Sequence, residues 1–314
     1  GSSGNIDISK VWPDGYDEIV ALAAHNDALI IFGKHSIVVY SGATSPANMT
    51  LADTVSGVGC VDRDTVQYTG TDVLFLSHTG LRSFGRTVQE KSMPINSLSG
   101  TITKDIIALL QGETEFFRSV YYPEENFYLL TFTSQDTTLC FDVRGTIETG
   151  AYRVTRWPGT GFTAYERQDN GDLLIGSVHG IGRYNGNQDN GQSYRFKYFS
   201  PELSFGDPSK IKMLKKIRPT IIGGSGASVL MKWGYDFASI FTTASLTLDT
   251  QGIAEFNIAE FNIGEFSLGE QVSRDAINTN GSGGTLKIGM ESDINAFELS
   301  LQEINVLALI GKTL

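Results

Sequence analysis

The sequence predicts an all-β protein: β-propeller-like blades over residues 1–200, then a C-terminal β-sandwich or open β-sheet domain over 201–314, with one short helix. Three observations predict this. Short apolar runs rich in Val, Ile, Phe and Tyr recur between Gly, Asn and Asp turns. The 314 residues include 35 glycines, 18 phenylalanines and 12 tyrosines, but only 8 prolines and 19% charged residues. This composition suits strands joined by tight turns. Finally, one strand–turn–strand unit returns along the first two hundred residues.

Its first copy is Asn26-Asp-Ala-Leu-Ile-Ile-Phe32, a turn at Gly33–Ser36, and Ile37-Val-Val-Tyr40. The second runs from Thr71 to Leu76, turns through Ser77-His-Thr-Gly80, and continues Leu81-Arg-Ser-Phe84. The third is Asn126–Phe132, Ser134–Asp136, then Thr138–Phe141; the fourth is Asn170–Ile175, Ser177–Gly180, then Ile181–Tyr184. An apolar strand precedes each, beginning at residues 19, 65, 118 and 162, so the spacings are 46, 53 and 44 residues. A period of about 40–50 residues with three or four short strands is that of propeller blades, in which each sheet buries two apolar faces by stacking on its neighbours. Between the second and third copies, residues 101–111 place Ile102, Ile106, Leu109 and Leu110 on one helical stripe, with Gly112 as a stop.

Past Ser200 the texture changes. A turn-rich connector, Pro201–Pro208, leads into strands at 210–222, 228–235, 285–290, 296–301 and 303–307. Five cations fall within nine residues: Lys210, Lys212, Lys215, Lys216 and Arg218. They read either as a solvated edge strand guarded by lysines or as a face for an acidic partner subunit, with DNA phosphate a lesser option. Residues 254–268 form three pentads: Ala-Glu-Phe-Asn-Ile, the same again, and Gly-Glu-Phe-Ser-Leu. Period five fits neither strand nor helix, so the segment reads as a fragment of a pentapeptide β-helix or as an extended arm docking Phe256, Phe261 and Phe266 on a neighbour.

No pattern supplies catalysis, a metal or a cofactor. His35, His78 and His179 occupy the equivalent turn of three units, which fits a repeated turn better than convergent ligands. His25 reads as a polar neighbour of the Asn26-Asp27 turn. Asp169-Asn-Gly-Asp172 and Asp189-Asn-Gly191 are hairpin chemistry before they are glycosidase carboxylates or a calcium loop. Gly223–Gly226 lacks the lysine of a phosphate loop. Cys60 and Cys140, both in apolar strands, are expected to be buried free thiols, as suits a reducing cytoplasm. The net charge of −11 argues against a protein that grips DNA, while a conduit through which DNA slides is compatible with it. No apolar run approaches the ~18 residues of a membrane-spanning helix, and no secretory leader pattern is expected.

The stretch from Asp17 to Tyr40, its continuation Gly57–Val66, and Val73-Leu-Phe-Leu-Ser-His-Thr-Gly-Leu81 together resemble the hairpins of podophage tail nozzle proteins, the tail tubular protein B group. The helix followed by the Tyr121-Tyr-Pro123 strand is similar to that group as well. The resemblance implies a virion structural protein without enzymatic activity or cofactor. It implies a homohexameric ring in the tail, assembled in the host cytoplasm, contacting portal or adaptor and tail fibre or spike proteins. DNA would pass the central channel without sequence specificity during retention and ejection. It transfers no individual site residue. The alternative is a carbohydrate-binding or carbohydrate-degrading propeller serving as a receptor-binding tail component; a cellular protein-interaction propeller is a third option.

Overall fold

The computed structural model describes residues 7–90, 97–207, 209–248 and 272–313. The chain is all-β and divides into two units, 1–184 and 185–314. No helix among the described residues is long and apolar enough to cross a membrane.

The first unit holds four antiparallel meanders. Blade 1 comprises β1 (Ile19–His25), β2 (Ala28–Gly33), β3 (Ser36–Ser41) and β4 (Thr50–Ser56); blade 2 comprises β5 (Gln67–Tyr68), β6 (Val73–Ser77) and β7 (Gly80–Ser83). Blade 3 comprises β8 (Phe117–Tyr122), β9 (Phe127–Phe132), β10 (Thr137–Thr146) and β11 (Tyr152–Pro158); blade 4 comprises β12 (Ala164–Arg167), β13 (Leu173–Ser177) and β14 (Gly180–Arg183). Each blade opens within two residues of the position its repeat predicts. The β1–β2 hairpin closes on Asn26 and Asp27, both at positive φ, the conformation that a two-residue turn requires and that Asn and Asp tolerate.

Successive side chains of a strand point to opposite faces, and here both faces are buried. Phe32 and Ile30 meet Val73 and Phe75 of blade 2, with the Phe32 and Phe75 ring centroids 4.8 Å apart. The alternate residues Leu74 and Leu76 face Tyr128, Leu130 and Phe132 of blade 3. Phe127 and Leu129, from the other side of β9, meet Leu173 and Ile175 of blade 4. Trp12, with Ile8 and Val11, covers the free face of blade 1 over Ile31, Val38 and Tyr40. The central strands therefore read as continuous apolar runs instead of alternating ones. Among the described residues no buried cluster joins blade 4 to blade 1, and Ile181 on the far side of blade 4 is 80% exposed.

Two α-helices are present among the described residues. The expected one appears as a 3₁₀ turn, Gly100–Ile102, running into α2 (Thr103–Gly112), whose Ile106 and Leu109 pack beneath blades 2 and 3. A second, α1 (Phe84–Glu90), begins where the repeat predicts more strand. Ser83 ends β7 and starts the helix: its Oγ accepts from Arg86 N at 3.2 Å and donates to Asp72, whose other oxygen accepts from Gly85 N.

The crossing from blade 1 to blade 2 passes tightly over the β2–β3 turn. Cys60 N donates to Gly33 O at 2.9 Å, and a Cβ on Gly59 would lie 2.2 Å from the Lys34 backbone carbon. Gly59→Ala is therefore expected to cost about 2–3 kcal/mol, since backbone must move. Urea denaturation checks this; an unchanged midpoint would show that the crossing is looser than this contact requires.

The second unit is a β-sandwich. One sheet has the order β15 (Tyr194–Phe199), β22 (Leu286–Ile294), β17 (Ser228–Tyr235), β18 (Thr242–Thr247). The other is built on β16 (Lys210–Gly223), which pairs with β23 (Leu299–Thr313) and with the fragments β19 (Val272–Ser273), β20 (Ile277–Asn278) and β21 (Ser282–Gly283). Leu214, Ile217 and Ile221 of β16 pack on Val229, Met231 and Trp233 of β17 and on Ile288 and Met290 of β22. The sequence pattern put 185–200 with the blades, but β15 pairs along its length with β22 and belongs to this sandwich. Such a pairing joins strands about ninety residues apart, and no local pattern announces it.

Candidate interaction surface

The cationic run lies on β16, which is a central strand, not the lysine-guarded edge that the sequence left open. It is bonded on one side to β23 and on the other to the three short fragments. Alternation sends Leu214, Ile217 and Ile221 inward. A bulge between Leu214 and Lys216 turns two consecutive lysines, Lys215 and Lys216, to the exposed side with Arg218. Lys212 falls on the inward parity. Its side chain is 1% exposed, and its ammonium donates to the carbonyls of Asp207 and of Gly284, the latter at 2.8 Å. Lys212 therefore ties the Pro201–Pro208 connector to the β21 turn and is not available to a partner. Lys210 sits at the strand's start, 3.6 Å from the Asp207 carboxylate.

Beside the outward cations the surface is apolar. Met213 pairs with Leu309, Lys216 with Leu307, and Arg218 with Asn305, so these side chains share the outer face. Leu307 and Leu309 are 58% and 57% exposed. No ion pair engages Lys215, Lys216 or Arg218 among the described residues. The site that emerges is a two-strand face of leucine and methionine beside three cations that are unpaired among the described residues. Phe256, Phe261 and Phe266, the other predicted docking residues, lie outside the described residues.

The remaining chemistry-bearing groups serve turns and cores. His35 and His78 are brought together, their rings stacked with centroids 5.8 Å apart; burial, then the neighbouring His35 and Lys34, lowers the His78 pKa. His179 caps its turn through its backbone N, which donates to Ser177 Oγ. Among the described residues no three His, Cys, Asp or Glu side chains gather as a metal site. Asp172 accepts from Asn170 and Arg183, closing blade 4's hairpin. Asp17 is buried at the β2–β3 turn. Burial alone would raise its pKa, but donation from Ser36, from the backbone of His35 and from that of Glu18 outweighs this and holds it low. Burial pushes the Cys60 thiol up to about 11 and the Cys140 thiol up to about 12, so neither is a ready nucleophile.

One cleft, missed by the sequence patterns, opens at the end of the sandwich. It encloses about 370 Å³, with Tyr194, Phe196 and Leu299 on its walls and Asn187, Glu298 and Gln302 at its polar positions. Its signal was faint: aromatic residues two apart on one strand, which share a face.

No protein-family profile matches the chain, and no curated protein matches it. Among solved structures it is similar to a Bacillus thuringiensis Cry1Da tryptic core variant at 10% identity and a TM-score of 0.22, over 93% of this chain and 51% of that one. The chain spans about half the length of that structure, and a likeness at this level carries no argument about fold or function.

Proposed function

We propose that this chain is a non-catalytic structural subunit of a short bacteriophage tail, one of six copies forming a ring around the DNA channel for genome retention and ejection. Four blades stacked in sequence order carry the reading. In this unit the buried clusters run from sheet to neighbouring sheet, and Asp17, Asp72 and Asp172 close turns. That is what a scaffold needs. The Met213–Leu307–Leu309 face beside Lys215, Lys216 and Arg218 supplies a surface for a neighbouring protein. In such a tail the subunit meets portal or adaptor above and fibre or spike proteins at its side. Electron microscopy of particles labelled with an antibody against this chain is the test. Label at the tail, with a ring in averaged images, is the expected result; particles without label there would end the reading.

A second reading, a carbohydrate-binding tail component that recognises a receptor, is favoured by the cleft. Tyr194 offers an aromatic face, with Gln302 and Asn187 placed beside it. This cleft lies in the sandwich, not in the blades where the sequence suggested such a site. Specific glycan-array binding that disappears in Tyr194→Ala would promote it over the scaffold reading.

A further inference from the structure

The exposed face of β16 and β23 combines two features that rarely stand uncovered together. Its apolar part, Met213, Leu307 and Leu309, is contiguous across two paired strands. Its charged part, Lys215, Lys216 and Arg218, has no carboxylate partner among the described residues, in a chain whose net charge is −11. β23 also has only β16 as a partner among the described residues, so its outer edge carries unpaired backbone groups. Between the bulges, the edge from Glu303 to Ile310 has a single charge and no proline. The usual protections of an edge strand (lysines, proline, shortness) are missing from it. An occupant that fits must bring apolar side chains and a carboxylate to the same face.

The sequence holds one segment of that chemistry. The pentads at 254–268 set Glu255, Glu260 and Glu265 beside Phe256, Phe261 and Phe266, followed by Ile258, Ile263 and Leu268. We propose that the β16–β23 face is the docking site for the acidic, phenylalanine-bearing pentads of a second copy of this chain. In an extended run Glu260 shares a face with Phe256, Ile258 and Phe266, so that carboxylate meets the cations while those apolar side chains cover the leucines.

Chain length argues for a second copy over the same one. Leu248 N bonds to Ala227 O and Val272 pairs with Ile222, so residues 249–271 leave and return at the Gly223 end of β16. Met213 lies ten residues along that strand, about 33 Å away at a strand's rise per residue. Going there and back takes about 20 residues of extended chain, so this 23-residue segment cannot lay its three pentads in a single run along the face and still return. A neighbour's segment has no such tether to this strand. The contact is heterologous, a face of one copy against a different segment of the next, and interfaces of that kind build rings or filaments. The inference goes beyond the tail reading and stands without it, since it uses only the face and the pentad chemistry.

Charge exchange in the intact chain tests it, read by sedimentation up to about 100 μM, a range that registers micromolar affinity. One variant carries Lys215→Glu, Lys216→Glu and Arg218→Glu; the other carries Glu255→Lys, Glu260→Lys and Glu265→Lys. The wild-type chain is expected to self-associate, less so in high salt. Each variant alone should associate at least about 10-fold more weakly, and an equimolar mixture of the two should recover it, because each then offers the complement of the other. If reversal unfolds the chain, glutamine at the same three β16 positions with a labelled peptide of residues 252–270 gives the same comparison: the peptide binds wild type and loses about 10-fold on the variant. A monomeric wild type that ignores the peptide overturns the proposal, as do variants that associate like wild type or a mixture that recovers nothing. None of those results bears on where the chain sits in a particle, which microscopy decides separately.

Discussion

Phe132→Ala is expected to lower the stability of the first unit by about 3–5 kcal/mol, the range for emptying a fully buried phenylalanine site. Phe132 is 0% exposed, stands on β9, and meets the Phe117 ring edge-on at a centroid distance of 5.5 Å. It belongs to the cluster that joins Leu74, Leu76 and Leu81 of blade 2 to blade 3, with Ile106 of α2 closing the rim. Truncation leaves a cavity bounded by two sheets and a helix, each held by its own backbone ladder, so little can collapse into it. Since single domains are stable by about 5–15 kcal/mol, the loss is a large part of the whole. Urea denaturation is the measurement. Ile181→Ala, on the uncovered side of blade 4, should stay within about 0.5 kcal/mol of wild type. Equal losses at the two positions would mean that the blades are not stacked as described.

The same contrast shows how the fold could be read from sequence. Stacked blades bury both faces of each central strand, so Ala28–Phe32, Val73–Leu76 and Phe127–Leu130 are unbroken apolar runs, and their recurrence is visible without coordinates. What stayed hidden was decided by single local events. Leu81-Arg-Ser-Phe84 reads as strand, yet Ser83 caps a helix because Asp72, eleven residues earlier, fixes its hydroxyl. A Ser three residues before Arg86 was the available signal, and it is weak. The five cations looked equivalent in sequence. Strand parity buries Lys212 against two carbonyls, and one bulge turns both Lys215 and Lys216 outward, so the run divides into a structural lysine and an exposed row. A bulge has no dependable sequence mark. Residues 185–200 were misplaced for a third reason, since their partner strand begins only at Leu286.

Removing one carboxylate in the sandwich should matter almost as much as emptying the Phe132 site. Glu291 lies on β22, its side chain 8% exposed, with Lys232 Nζ and Arg195 Nη2 each at 2.8 Å. Its direct neighbours across the sheet are Leu230 and Lys197, so both cations reach it from diagonal positions, two residues along their strands. Burial alone would raise its pKa; the bonds from Lys232 and then Arg195 outweigh that and leave it below the ordinary glutamate value. Breaking a buried pair by deleting one partner costs about 3–5 kcal/mol, because the opposite charge stays behind unpaired. Arg195 is 40% exposed and keeps Asp293 at 2.8 Å, so part of that penalty is relieved by water. Glu291→Gln is therefore expected to cost about 3 kcal/mol near neutral pH, and Glu291→Met less, since a well-packed apolar side chain avoids an unsatisfied amide. The pH dependence fixes the cause. A carboxylate whose folded pKa is depressed contributes its full stabilisation above the unfolded value of about 4.3 and loses it as pH falls through the folded one. Denaturation of wild type and Glu291→Gln should thus run parallel from pH 8 to about 6 and converge as pH falls past the unfolded glutamate value and through the depressed folded one, where the wild-type carboxyl is itself protonated. A difference that persists unchanged into acid would assign the loss to packing around β22 instead of charge.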